Sequence, residues 1–161
     1  QIGRIALVIF LYKVGSAMGA DELFSARDTE FAWEERSVTE IALETESVTI
    51  DREGVYLLSG TLENGQIVVD APKDDKVQLV LMGASVHCES HTALYVKQAD
   101  KVFVTLAPGT ENSLSCGENM VQTDENNVDS ALFSKEDLTL NGEGKLETVG
   151  ELVKFIESKL Q

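Results

Sequence analysis

Gln66-Ile-Val-Val-Asp-Ala71, followed by Asp75-Lys-Val-Gln-Leu-Val-Leu81 and Gly83, is the first of three related units in this chain. Ala93-Leu-Tyr-Val-Lys-Gln98 leads in the same way into Asp100-Lys-Val-Phe-Val-Thr-Leu106 and Gly109. Ala131-Leu-Phe-Ser-Lys135 leads into Glu136-Asp-Leu-Thr-Leu140 and Gly142. The units start 27 and then 38 residues apart, the second interval being lengthened by a polar insertion over 116–129. Each unit is two short apolar stretches separated by turn residues. Repetition of such a unit at a spacing of roughly 20–30 residues marks a β-solenoid, in which one coil cannot bury its own apolar face but stacked coils can.

Side chains alternate between the two faces of a strand, so the repeat also assigns an inside and an outside. In the first strand of each unit, Ile67 and Val69, Leu94 and Val96, then Leu132 and Ser134 fall on one face, expected to point inward. The opposite face carries Val68 and Asp70, Tyr95 and Lys97, then Phe133 and Lys135. In the second strand, Val77, Leu79 and Leu81 are expected to stack on Val102, Val104 and Leu106, and these on Leu138 and Leu140. Upstream, Val48, Ile50 and Val55-Tyr-Leu-Leu58 also read as strands, interrupted at Gly54 and Gly60.

The two ends read differently. Ile5-Ala-Leu-Val-Ile-Phe-Leu-Tyr12 is an apolar run preceded by Arg4 and followed by Ser16-Ala-Met-Gly-Ala20. It is too short to span a bilayer as a helix. It reads either as a signal-like segment with a small-residue cleavage site or as a buried strand, paired in its own domain or donated to a neighbouring subunit. At the other end, Thr148-Val-Gly-Glu151 has the form of a capping box, and Val149, Leu152, Val153, Ile156 and Leu160 recur at helical spacing. A helix covering the last coil is expected. The chain thus divides into 1–20, a repeat domain over 21–147 and a helix over 148–161.

The chain has 161 residues, a formal charge of −15 and two each of cysteine and histidine. So acidic a surface repels nucleic acid and anionic membranes and attracts cations. All four arginines, Arg4, Arg27, Arg36 and Arg52, precede the repeat, so the repeated units themselves carry no guanidinium. Cys88 and Cys116 lie near the ends of equivalent units, where stacking could bring them together; whether they bridge is left open. Cys88-Glu-Ser-His91 is a weak metal-ligand pair, read more simply as a turn. Trp33, the single tryptophan, reads as a cap on the core or a sugar-stacking ring. The adjacent His87 and His91 build no catalytic triad, and the carboxylates are scattered through turns, so an enzyme is not expected.

Gly54-Val-Tyr-Leu-Leu-Ser-Gly60, the first two units, Gly109-Thr-Glu-Asn-Ser-Leu114 and Phe133-Ser-Lys-Glu-Asp-Leu-Thr-Leu-Asn-Gly142 together resemble bacterial proteins described as carbohydrate-binding domain-containing. The resemblance runs from about Leu23 to Lys145. It implies a right-handed parallel β-helix, a secreted or cell-surface location, calcium (Ca2+) bound between coils, and non-catalytic affinity for polysaccharide, acidic polymers included. The fold class expected is therefore mainly β: a short right-handed parallel β-helix of about three coils with an N-terminal apolar strand and a C-terminal capping helix.

The outward strip of Tyr95 and Phe133, flanked by Lys97, Lys135 and Asp70, is the candidate sugar site, where flat rings stack on a pyranose and charged groups reach its hydroxyls. The competing reading is that a loop or the N-terminal strand covers those rings. Asp124, Glu125, Asn126 and Asp129 in the insertion offer hard oxygens suited to calcium, as does the stacked series Asp75, Asp100 and Glu136. Each set reads equally as solvated acidic loop or turn residues. The function expected is a calcium-assisted carbohydrate-binding or adhesion module. The alternative is a structural subunit of an extracellular fibre, self-associating by donation of Ile5–Tyr12 to the next copy.

Overall fold

The computed structural model of this protein describes residues 5–9, 33–34, 36–126 and 128–149. Its strands, in chain order, are β1 (Ile5–Ile9), β2 (Val38–Leu43), β3 (Val48–Ile50), β4 (Gly54–Leu62), β5 (Ile67–Asp70), β6 (Lys76–Cys88), β7 (Leu94–Gln98), β8 (Lys101–Leu106), β9 (Glu111–Cys116), β10 (Leu132–Ser134), β11 (Asp137–Gly142) and β12 (Lys145–Val149). They form two sheets in which every pairing is parallel. The larger runs β1-β11-β8-β6-β4-β2, with β9 joined to both β6 and β12; the smaller runs β10-β7-β5-β3. The chain passes from one sheet to the other and back, and places each return one strand further along the stack.

The register is the one that the repeat anticipates. Val77, Leu79 and Leu81 lie opposite Val102, Val104 and Leu106, and Val102 and Val104 in turn lie opposite Leu138 and Leu140. In the smaller sheet Ile67 meets Leu94, which meets Leu132. These side chains fill the space between the sheets together with Leu58, Leu62, Val86 and Leu114, all buried. Each such leucine contributes on the order of 2 kcal/mol by leaving water. Stacking like on like keeps every layer the same width.

Two expectations are corrected, and a third point left open by the sequence is answered. First, no helix occurs among the described residues. Thr148 and Val149, read as the start of a capping helix, belong to β12, which runs beside β9 from Lys145 opposite Glu111 to Val149 opposite Ser115. A ready-made strand edge offers hydrogen bonds at every second residue, and this non-local gain outweighs a local capping signal. The rest of the expected helix, 150–161, lies outside the described residues. Second, the stack is not three coils long. β2, β3 and β4 extend both sheets ahead of the repeat, with Val38 opposite Val55 and Val55 opposite Gln78. Their sequence diverges from the later units while their pairing does not. Third, β1 is a strand of its own chain's sheet: Ile5 lies opposite Leu138 and Ile9 opposite Gly142. That pairing lies within the chain; Phe10–Tyr12 lie outside the described residues.

One glycine makes the close stacking of corners possible. Gly142 adopts φ +103°, and a Cβ there would stand 2.3 Å from the Leu106 carbonyl oxygen. Both facts exclude an L side chain. Asn112, 3% exposed, holds the adjacent corner. Its side-chain oxygen accepts from the amides of Gly83 and Ala84, each at 2.9 Å, and its amide donates to Thr110 Oγ1 and to the Lys145 carbonyl.

Candidate functional site

Val68, Tyr95 and Phe133 stand in register on the outer face of the smaller sheet, as the alternation requires. They are not exposed. Tyr95 is 2% and Phe133 4% accessible, and Val128 and Met120 from the insertion pack over them. The two rings meet edge to face with centroids 5.7 Å apart. The Tyr95 hydroxyl donates to Asp124 Oδ2 at 2.7 Å and accepts from Asn126 Nδ2 at 2.7 Å. Burial, reinforced by the bond to Asp124, pushes its pKa up to about 12. The same bond, against some burial, holds the Asp124 carboxyl below its ordinary value.

His91 completes this cover. Its ring stacks on Tyr95 with centroids 5.3 Å apart. Gln66 Nε2 is a donor to the Thr92 carbonyl, so its 2.6 Å contact to His91 Nδ1 makes that nitrogen the acceptor. The proton then sits on Nε2, 3.1 Å from Thr123 Oγ1. Burial holds the His91 pKa below its ordinary value; Asp124 opposes this and Lys97 adds to it. Lys97 is exposed, with its ammonium 5.6 Å from the Tyr95 ring centre. Lys135 is half-buried, and Asp70 is exposed at the margin. The rings that were to stack on a sugar are therefore roofed by the loop.

The candidate calcium carboxylates are engaged or placed as follows. Asp124 spends one oxygen on Tyr95 and the other on the Asn126 amide; Glu125 and Asp129 are exposed. Asp75 Oδ2 accepts from the Glu53 amide, and Asp100 Oδ2 lies 2.5 Å from Lys76 Nζ. Glu136, half-buried, turns its backbone toward Ser134 Oγ. Among the described residues no three His, Cys, Asp or Glu side chains converge on a common point.

A different concavity lies on the outer face of the larger sheet. Arg36, Glu53, Gly54, Val55, Lys76, Val77, Gln78 and Phe103 enclose about 360 Å³. Val55, Gln78 and Phe103 form one register column, which sets the floor. Lys76 opens β6 and Glu53 precedes β4, so both stand at the rim; Arg36 comes from just before β2. Gln78 Nε2 donates to Thr105 Oγ1 at 3.0 Å, and Thr105 Oγ1 donates to Asn141 Oδ1 at 2.7 Å. That relay fixes which end of the amide is oxygen, and the buried Gln78 Oε1 has no hydrogen-bond partner among the described residues. A cleft of this size, with two cations, one carboxylate, an amide and an apolar floor, suits a small polar ligand. Sequence reading did not find it. Arg36 was set aside because it precedes the repeat, yet the parallel stack extends back to it.

The fold is that of a repetitive parallel-β protein with a charged recess on one face. The chain belongs to the carbohydrate-binding domain-containing protein family, whose model matches residues 44–161. A carbohydrate-binding domain-containing protein of Acetivibrio thermocellus is 32% identical over 112 residues, covering 68% of this chain and 39% of the relative. A solved structure described as a polysaccharide lyase-like protein from C. thermocellum, in a gadolinium derivative, superposes with a TM-score of 0.63 at 29% identity. That match covers 68% of this chain and 50% of the other. The chain thus spans half or less of the length of these relatives.

Proposed function

We propose that this protein binds polysaccharide outside the cell without cleaving it, and that an acidic sugar unit sits in the cleft of Arg36, Glu53, Lys76 and Gln78. Membership of a carbohydrate-binding family over residues 44–161 carries the reading. The cleft supports it chemically. A sugar carboxylate pairs with the Arg36 guanidinium, whose planar fork suits it, and with Lys76. Sugar hydroxyls donate to the exposed Glu53 carboxylate at the rim. An extracellular setting fits because polysaccharides are met there.

A non-catalytic role fits the lining of the cleft. Glycoside hydrolysis takes a pair of carboxylates, and Glu53 is the one carboxylate among the described residues that line the cleft. Elimination next to a uronate takes a deprotonated base, and Lys76 is ion-paired to Asp100.

Calorimetric titration with oligogalacturonate and with cello-oligosaccharide, each with and without EDTA, tests the proposal. Binding of the acidic ligand is expected to survive EDTA and to weaken about tenfold or more in Arg36→Ala, the scale of one lost charge-assisted hydrogen bond. Absence of binding to both ligands would overturn carbohydrate recognition. Undiminished binding by Arg36→Ala/Gln78→Leu would remove the cleft as its site.

A further inference from the structure

We infer that Cys88 and Cys116 form a built disulfide site, which oxidation closes to clamp the foot of the loop roofing Tyr95. The two cysteines end β6 and β9 and face each other in register in a parallel pair. Parallel neighbours in register hold their Cα atoms about 4.8 Å apart and point their side chains to the same face. That distance lies inside the span of roughly 4.4–6.8 Å that a disulfide bridges. The face is the inner one: Cys88 continues the buried alternation Ala84, Val86, and Cys116 continues Asn112, Leu114. Neither cysteine is disulfide-bonded in this structure.

The register is fixed from both sides, so the pairing is no accident of fraying ends. Ser85 Oγ meets Ser113 Oγ at 2.7 Å, and His87 Nδ1 meets Ser115 Oγ at 2.7 Å, both on the outer face. Just beyond the pair, the Gly117 amide donates to the Cys88 carbonyl at 3.0 Å. A Cβ on Gly117 would lie 2.1 Å from the Glu89 carbonyl oxygen, so only glycine permits this approach. A one-residue slip would separate the sulfurs and break all three contacts.

Exposure orders the chemistry. Cys116 is half-buried and Cys88 buried. The Cys116 thiolate attacks one sulfur of a disulfide oxidant, low-molecular-weight or protein-borne, and displaces one thiolate. The Cys88 thiolate then attacks the Cys116 sulfur of the mixed disulfide and displaces the second. Two cysteine thiols become one disulfide, the oxidant is reduced to two thiols, and one electron pair passes to it. The segment between the cysteines holds β7 and β8, and the insertion leaves directly from Cys116. The bridge therefore closes one full circuit of the chain and anchors the loop bearing Asp124 and Asn126.

Intact-mass measurement of the folded full chain after incubation with oxidised glutathione tests this. A loss of about 2 Da, a Cys88–Cys116 cross-linked peptide, and a melting temperature that drops by several degrees on reduction are the expected results. Two alkylatable thiols remaining after the oxidant, a stable glutathione adduct on Cys116, or a bridge only between molecules would each overturn the inference. All of these are read on the unsubstituted protein, so none depends on a variant folding. Glycan affinity is measured separately, and its failure leaves this result untouched.

Discussion

Asn112 shows how one side chain can be indispensable and yet silent in sequence. Within Glu111-Asn-Ser-Leu114 it reads as an ordinary polar residue. In the fold it is buried and uses its oxygen for two amides of the β6 bend and its nitrogen for Thr110 and for the carbonyl of Lys145. Asn112→Ala leaves the Gly83 and Ala84 amides without their acceptor, Ala84 buried and Gly83 at the exposed bend. A buried donor without a partner costs about 1–3 kcal/mol, so a loss of about 1–3 kcal/mol is expected. Urea unfolding measures it. Asn112→Asp retains the acceptor and loses the two donated bonds, so it should fall between wild type and alanine. The inward apolar positions, by contrast, were legible residue by residue. Val77, Leu79 and Leu81 repeat with period two, and that period depends only on the backbone.

At the scale of elements, strands that recur were readable, and whatever packs on their outer faces was not. The cover of Tyr95 and Phe133 comes from Met120, Val128 and the polar residues between them, in a stretch with no periodicity. The cleft draws Arg36, Glu53 and the Lys76–Gln78 start of β6 from three separate places in the chain, and each alone reads as turn or surface. Thr148-Val-Gly-Glu151 misled because it satisfies a local rule at a place where β9 offers a longer-range partner. The roofing loop also carries a pH response. His91 is docked as the neutral ring, accepting from Gln66 and facing Thr123, with Tyr95 on its face and Asp124 and Lys97 as the nearby charges. Its folded pKa lies below the ordinary 6.5, so the unfolded chain takes up the proton first as pH falls. Its contribution is therefore complete above about 6.5 and is lost as pH drops through the lowered folded value. Asp124 acts the same way lower down: its depressed pKa stabilises above the ordinary carboxyl range and that gain disappears as the acid is protonated. Thermal melts at intervals between pH 8 and 5 should show a decline in wild type that His91→Gln flattens. An equal decline in both would mean that His91 is not the group responsible.

At the scale of the whole molecule, a stack of parallel strands has two ends, and each end presents unpaired backbone groups to any chain that can add to it. In the larger sheet β2 stands at one end and β1 at the other, laid against β11 from Ile5–Leu138 to Ile9–Gly142. The apolar N-terminal run was legible as a strand, but its partner was not, because pairing with oneself and pairing with a neighbour demand the same residues. The structure lays it on the β11 edge of its own sheet. Removing residues 1–9 should thus do the opposite of what strand donation requires. A donor strand that is deleted leaves a soluble monomer. A cap that is deleted uncovers the β11 edge, and the truncated chain should melt lower and sediment as dimers or larger species, with the shift growing with protein concentration. Sedimentation velocity of full-length and truncated chains at matched concentrations separates the two. A truncated chain that stays monomeric at an unchanged melting temperature would show that β1 neither caps nor joins.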